Sequence, residues 1–131
     1  ILEMKSKGNW GEIINPKSNK EVVLLYDKYA KTYDADLEKV RTSNQGAIYI
    51  VEMFKKYVPL DGMILDAGNG TGGVVELLHH QGFLNLVGIE ISSGMLDEAN
   101  KKNVYSDLRV CILGEDIDSS PFHLQRMQLE C

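Results

Sequence analysis

The sequence is poor in the residues that staple, punctuate or ligate. It has two cysteines, three histidines and three prolines in 131 residues. Cys111 lies inside an apolar run and Cys131 is the last residue, so no disulfide framework is indicated and a reducing, cytoplasmic compartment is the default expectation. His79 and His80 are adjacent, so they leave a helix in different directions, and His123 stands far from both. No Cys or His spacing matches a zinc site, and no metal is expected. No apolar run reaches the roughly 20 residues that cross a bilayer, so no membrane partner is expected. Positive charge is scarce too. The formal net charge is −5, the isoelectric point is about 5.1, and no basic stripe runs along any segment. Nucleic acid, which is bound through neutralised phosphates, is therefore not expected as a partner. No nucleophile-plus-base pattern is visible, so the catalytic residues are unknown from sequence.

The chain does have apolar residues, 44% of the total, enough for the core of one domain. It is organised around Met63 to Ser92. Met63-Ile64-Leu65 is a short apolar run ending in Asp66. A glycine turn follows, with Gly68, Gly70, Gly72 and Gly73. Val74, Leu77 and Leu78 then repeat at helical spacing up to Gly82, and a second apolar run, Leu86 to Ile89, ends in Glu90. That is a strand, a turn, a helix and a parallel strand within the length of one βαβ unit. Glycines at such a turn admit positive φ and let a ligand approach the N–H groups that open the helix. A carboxylate at the end of the second strand can accept hydrogen bonds from a ribose diol. Together these features predict a nucleoside-binding site.

Two templates fit the turn. Gly68-x-Gly70-x-x-Gly73 suits a dinucleotide, whereas Asp66-x-Gly68-x-Gly70-x-Gly72 suits S-adenosylmethionine. Charge separates them. An acid just before the turn repels a pyrophosphate and attracts a ligand that carries an ammonium and a sulfonium. Asp66 therefore favours S-adenosylmethionine over a nicotinamide cofactor.

Around this centre, residues 1–17 read as a loose segment containing the single tryptophan, Trp10. Ser18-x-x-Glu21 is a capping box and predicts a helix start. Val22, Tyr26, Tyr29, Ala30 and Tyr33 follow at helical spacing. They read as a core stripe, or with Tyr33 near the helix end, as an aromatic lid over a cofactor. Asp36 to Arg41 reads as charged and solvent-facing. A second helix is expected from about Asn44 to Tyr57, with Ala47, Ile50, Val51, Phe54 and Val58 inward and Pro59 and Gly62 ending it. Ser92 or Ser93 should cap another helix, with Met95, Leu96 and Ala99 inward; Met95 could instead touch a purine. Leu108 to Leu113 reads as a third strand with Val110, Cys111 and Ile112 buried. Gly114-Glu115-Asp116 would then lie beside the first two strand ends.

Ile64 to Gly72, Val87 to Ser92 and Gly94 to Ala99 resemble the first two motifs and following helix of the class I S-adenosylmethionine-dependent methyltransferases. The segment Tyr26-Asp27 to Tyr33-Asp34 also resembles that family, and the likeness covers residues 18–117. It implies an α/β, Rossmann-like three-layer fold, here incomplete, with about three parallel strands and the later strands missing. Residues 18–118 would form the cofactor-binding half, and 119–131 a divergent tail. Asp66 and the Gly68, Gly70, Gly72 turn would hold the methionine end of S-adenosylmethionine, and Glu90 the ribose. Ile91, Met95, Gly114 and Glu115 would frame the adenine, with Tyr33 close to the cofactor. Asn69 stands where the family often has cysteine. The methyl acceptor is not legible. A chain without the later strands is expected to bind cofactor better than it turns over. It is also expected to self-associate through the exposed edge of its first strand, which the tail would cover only in part.

Overall fold

The computed structural model describes residues 16–40 and 45–113. The expectations about Trp10, Gly114, Glu115 and the tail fall outside them. Helix α1 spans Asn19–Val40 and α2 spans Gln45–Tyr57; then come β1 (Ile64–Ala67), α3 (Gly73–His80), β2 (Leu86–Glu90), α4 (Ser93–Lys101) and β3 (Asp107–Val110). The strands form a parallel sheet in the order β1-β2-β3. The Rossmann-like α/β expectation holds for this part of the chain.

The capping box at the start of α1 closes one residue early. Ser18 Oγ accepts from Glu21 N at 3.3 Å, but the Glu21 carboxylate accepts from Lys17 N at 2.7 Å. The helix also outruns its expected end near Tyr33. Residues 34–40 contain neither glycine nor proline, and the Asp36–Lys39 pair at 2.8 Å supports the added turns.

Register fixes which residues share a face. Ile64 pairs with Leu86 and Asp66 with Gly88. Ile64 and Leu86 join Val51, Val75, Leu78, Phe83 and Val104 in the core. Phe83 is fully buried and meets Phe54 edge-on at 6.3 Å between ring centres.

Three expected apolar faces are corrected. In α3 the buried residues are Val75 and Leu78, while Leu77 is exposed. The helix starts directly from left-handed Gly72, and that junction sets its rotation. Ile50 of α2 faces outward. In β3 only Cys111, just past the strand, is buried; Val110 and Ile112 are each about half exposed, at 49% and 50%. A fully apolar strand needs cover on both faces. β3 has a neighbour only at β2 among the described residues, and it runs from half-buried Asp107 and Leu108 to exposed Arg109 and Val110.

β1 likewise pairs only with β2 among the described residues. Ile64 N and Gly68 N donate toward β2, to Asn85 O and Ile89 O. By alternation, the N–H groups of Leu65 and Ala67 point away from the sheet.

Candidate functional site

The site grows from the turn after β1. Gly68, Gly70 and Gly72 all have positive φ, at 78°, 52° and 79°. A Cβ on Gly68 or Gly70 would meet nothing within 4 Å, so backbone conformation and open space, rather than crowding, favour glycine there. At Gly72 both reasons apply, because a Cβ would come within 2.8 Å of the Tyr105 ring. Gly68 N and Asn69 N both donate to Ile89 O, at 2.8 and 3.2 Å, which lays the turn across the end of β2.

Glu90 completes the turn from the other side. One carboxylate oxygen accepts from Gly70 N at 2.9 Å, and the other from Ile91 N at 2.9 Å and Ser92 N at 3.2 Å. The sequence reading treats Glu90 as an acceptor awaiting a ribose. In the structure it also ties the glycine turn to the start of α4. A carboxylate offers about four lone-pair positions, so these three donors leave about one for a ligand hydroxyl.

A pocket of about 160 Å³ opens at the carboxyl ends of the three strands. Gly68 lines it from β1, Glu90 and Ile91 from β2, and Cys111, Ile112 and Leu113 from beyond β3. This is the crevice where open α/β sheets bind ligands. Its walls are apolar except at Glu90 and at Asn19 from the start of α1, a lining suited to a flat base and a diol. Met95 does not line it; it is buried in the body of the protein. Asp66, Gly70, Gly72 and Tyr33 lie outside its lining as well, and Gly114 and Glu115 lie beyond the described residues.

Asp66 accepts a hydrogen bond from the Tyr105 hydroxyl at 2.8 Å. Burial raises the Asp66 pKa above the ordinary aspartate value; the Tyr105 bond lowers it in part, and Glu90 adds to the rise. Burial and the Asp66 carboxylate together push the Tyr105 hydroxyl far up. Tyr33 is half-buried, and its hydroxyl is raised by burial first and then by Tyr26, Asp34 and Glu90. Its ring lies 6.4 Å from that of Tyr26. α1 thus brings Tyr33 within electrostatic range of Glu90. Asn69 is buried, donates to Gly70 O at 2.7 Å, and leaves its Oδ1 without a partner.

Sequence reasoning assigns no contacts to the residues that seat α1. Asp27 accepts from Ser92 Oγ at 2.6 Å and from Gly94 N at 2.8 Å, while Ser92 Oγ accepts from Met95 N at 3.1 Å. The start of α4 is therefore capped twice, once by its own serine and once by α1. Asp34 accepts from Thr71 Oγ1 in the glycine turn and pairs with Lys102 at 3.0 Å; Lys102 reaches Glu76 at 3.4 Å. Asp27 and Asp34 lie seven residues apart, two helical turns, so they share one face. That spacing was the available signal. The sequence reading gives Tyr105 no role in the site. Among the described residues no group of three or more His, Cys, Asp or Glu side chains could hold a metal, and no helix is long and apolar enough to cross a membrane.

The methyltransferase-domain family matches residues 64–129. Methyltransferase-like protein 27 from Homo sapiens is 34% identical over 98 residues, which are 74% of this chain and 40% of that protein. The chain therefore spans well under two thirds of the length of this relative. A structure of geranyl diphosphate C-methyltransferase from Streptomyces coelicolor A3(2), in complex with Mg2+, geranyl diphosphate and S-adenosyl-L-homocysteine, aligns with a TM-score of 0.39. It is 18% identical, over 79% of this chain and 36% of that one. The family match takes in the glycine turn, Glu90 and the pocket beyond β3, and on that match the chain belongs to the class I S-adenosylmethionine-dependent methyltransferases.

Proposed function

We propose that this chain binds S-adenosylmethionine at the carboxyl ends of β1, β2 and β3 and supplies the cofactor-holding part of a methyltransferase. The observation that carries the reading is the meeting of the glycine turn and Glu90 at the mouth of the pocket. The pocket is smaller than the roughly 300 Å³ of a typical ligand site. It suits the nucleoside end, with Ile91, Ile112 and Leu113 against the base and Glu90 toward the ribose. Asp66, across the turn, faces the methionine end, where its negative charge complements an ammonium. Tyr33, on α1, lies within electrostatic range of Glu90 and on that side of the cofactor. When bound, the cofactor supplies a methyl group on a sulfonium, open to in-line displacement by an acceptor. The chain's own residues contribute by holding and orienting it.

Calorimetry tests the reading. S-adenosylmethionine and S-adenosylhomocysteine should both bind, and NAD should not. Binding of NAD with no response to either sulfur ligand would overturn it.

A further inference from the structure

Tyr105 lies in the link between α4 and β3, outside the glycine turn and the acidic strand ends, yet its ring is seated against two glycines. A Cβ on Gly72 would come within 2.8 Å of it, and one on Gly88 within 2.9 Å. Two glycines on two different elements therefore make room for one ring. Its backbone is fixed on both sides. Val104 is buried in the core, and Ser106 donates to Leu86 O through both its N–H and its hydroxyl, each at 2.8 Å. A side chain anchored this way has little freedom, and its hydroxyl ends at Asp66 Oδ2.

We propose that Tyr105 is a positioning residue for the cofactor: it holds the Asp66 carboxylate by Oδ2 so that Oδ1 is presented to the ammonium of the methionine end. This rests on the S-adenosylmethionine reading above. A free aspartate side chain samples several rotamers, and ordering it on binding has an entropic cost that a preformed hydrogen bond reduces. The bond also keeps the carboxylate ionised against the desolvation that opposes it; the other group acting on Asp66 is Glu90, which opposes ionisation. The ring serves the turn as well, because it packs on Gly72, the residue from which α3 starts.

The test is a double-mutant cycle with S-adenosylhomocysteine as the probe, by calorimetry from pH 5 to pH 8 on the whole chain. Tyr105→Phe keeps the ring and removes the hydroxyl. It should weaken binding roughly tenfold at neutral pH. It should also move the acid-side loss of affinity to higher pH, because Asp66 then protonates more readily. In an Asp66→Asn background the same substitution should change affinity less than twofold. A merely structural role would give the same loss in both backgrounds and no displaced pH profile. Wild-type-like binding by Tyr105→Phe, or an equal loss in both backgrounds, would overturn the role. The carbon-13 titration of the Asp66 carboxyl in the unliganded chain separates the remaining failures. If Tyr105→Phe leaves that titration unmoved, the proposed hold on Asp66 is refuted. If the titration moves but the wild-type chain does not bind the probe, the cofactor reading falls and this role falls with it.

Discussion

Replacing Glu90 with glutamine probes the tie between the glycine turn and α4 with almost no change in volume. The carboxylate accepts from three N–H groups, two on one oxygen and one on the other. A glutamine has one acceptor oxygen. If that oxygen stays with Ile91 and Ser92, the amide NH2 faces the Gly70 N–H, donor against donor. If the amide turns over, Ile91 and Ser92 lose their acceptor instead. The cheaper arrangement loses one charge-assisted bond and weakens two. That amounts to about 2 kcal/mol, allowing for partial exposure. For a chain of 131 residues each kcal/mol shifts Tm by roughly 3–6 °C, so the unliganded variant should melt roughly 6–12 °C lower. Scanning calorimetry at neutral pH reads this directly. The same scan with saturating S-adenosylhomocysteine should show a smaller stabilisation than in the wild type, because the ribose also loses its acceptor. A variant melting within about 2 °C of wild type would show that the carboxylate does not hold the turn, and the contact-by-contact reasoning would fail with it.

Three further outcomes follow from other contacts. Asp27→Ala removes the second cap of α4 and the link that seats α1, with an expected loss of about 1–2 kcal/mol; hydrogen exchange should rise in α1 while β1 and β2 stay protected, and unchanged exchange in α1 would count against the docking role. Asp66 has a folded-state pKa raised above its unfolded value, so the native state binds the proton more tightly and stability falls as pH rises from the unfolded pKa through the folded one. Asp66→Asn should flatten that fall, and urea midpoints at pH 4 and pH 7 should differ less in the variant than in the wild type; an identical difference would refute it. Among the described residues no strand pairs with the side of β1 to which the Leu65 and Ala67 N–H groups point, which makes that side a template for a second chain; sedimentation over a concentration series should show association that Leu65→Lys reduces, and a monomer at every concentration would refute this.

The sequence by itself determined the βαβ unit. The periodicity changes from strand to helix and back between Met63 and Glu90, and left-handed turn residues narrow the choice to glycine, so the strand-turn-helix-strand order could be read without coordinates. The cap at Ser92 and the burial of Met95, Leu96 and Ala99 were legible for the same reason, since both follow from local geometry. The family likeness at Asp66, the glycine turn and Glu90 was legible because those residues adjoin in sequence the ends of the elements that carry them. What the tertiary structure decided are the partners. Glu90 looked like a free acceptor because sequence cannot show that the N–H groups of Gly70, Ile91 and Ser92 converge on it. The rotation of α3, which buries Val75 in place of Leu77, depends on how the turn delivers the helix to the sheet. The exposure of Val110 and Ile112 depends on what covers β3, which an apolar run does not encode. Asp27, Asp34 and Tyr105 form hydrogen bonds with residues 37 to 67 positions away in the chain, and only folding brings such pairs within reach.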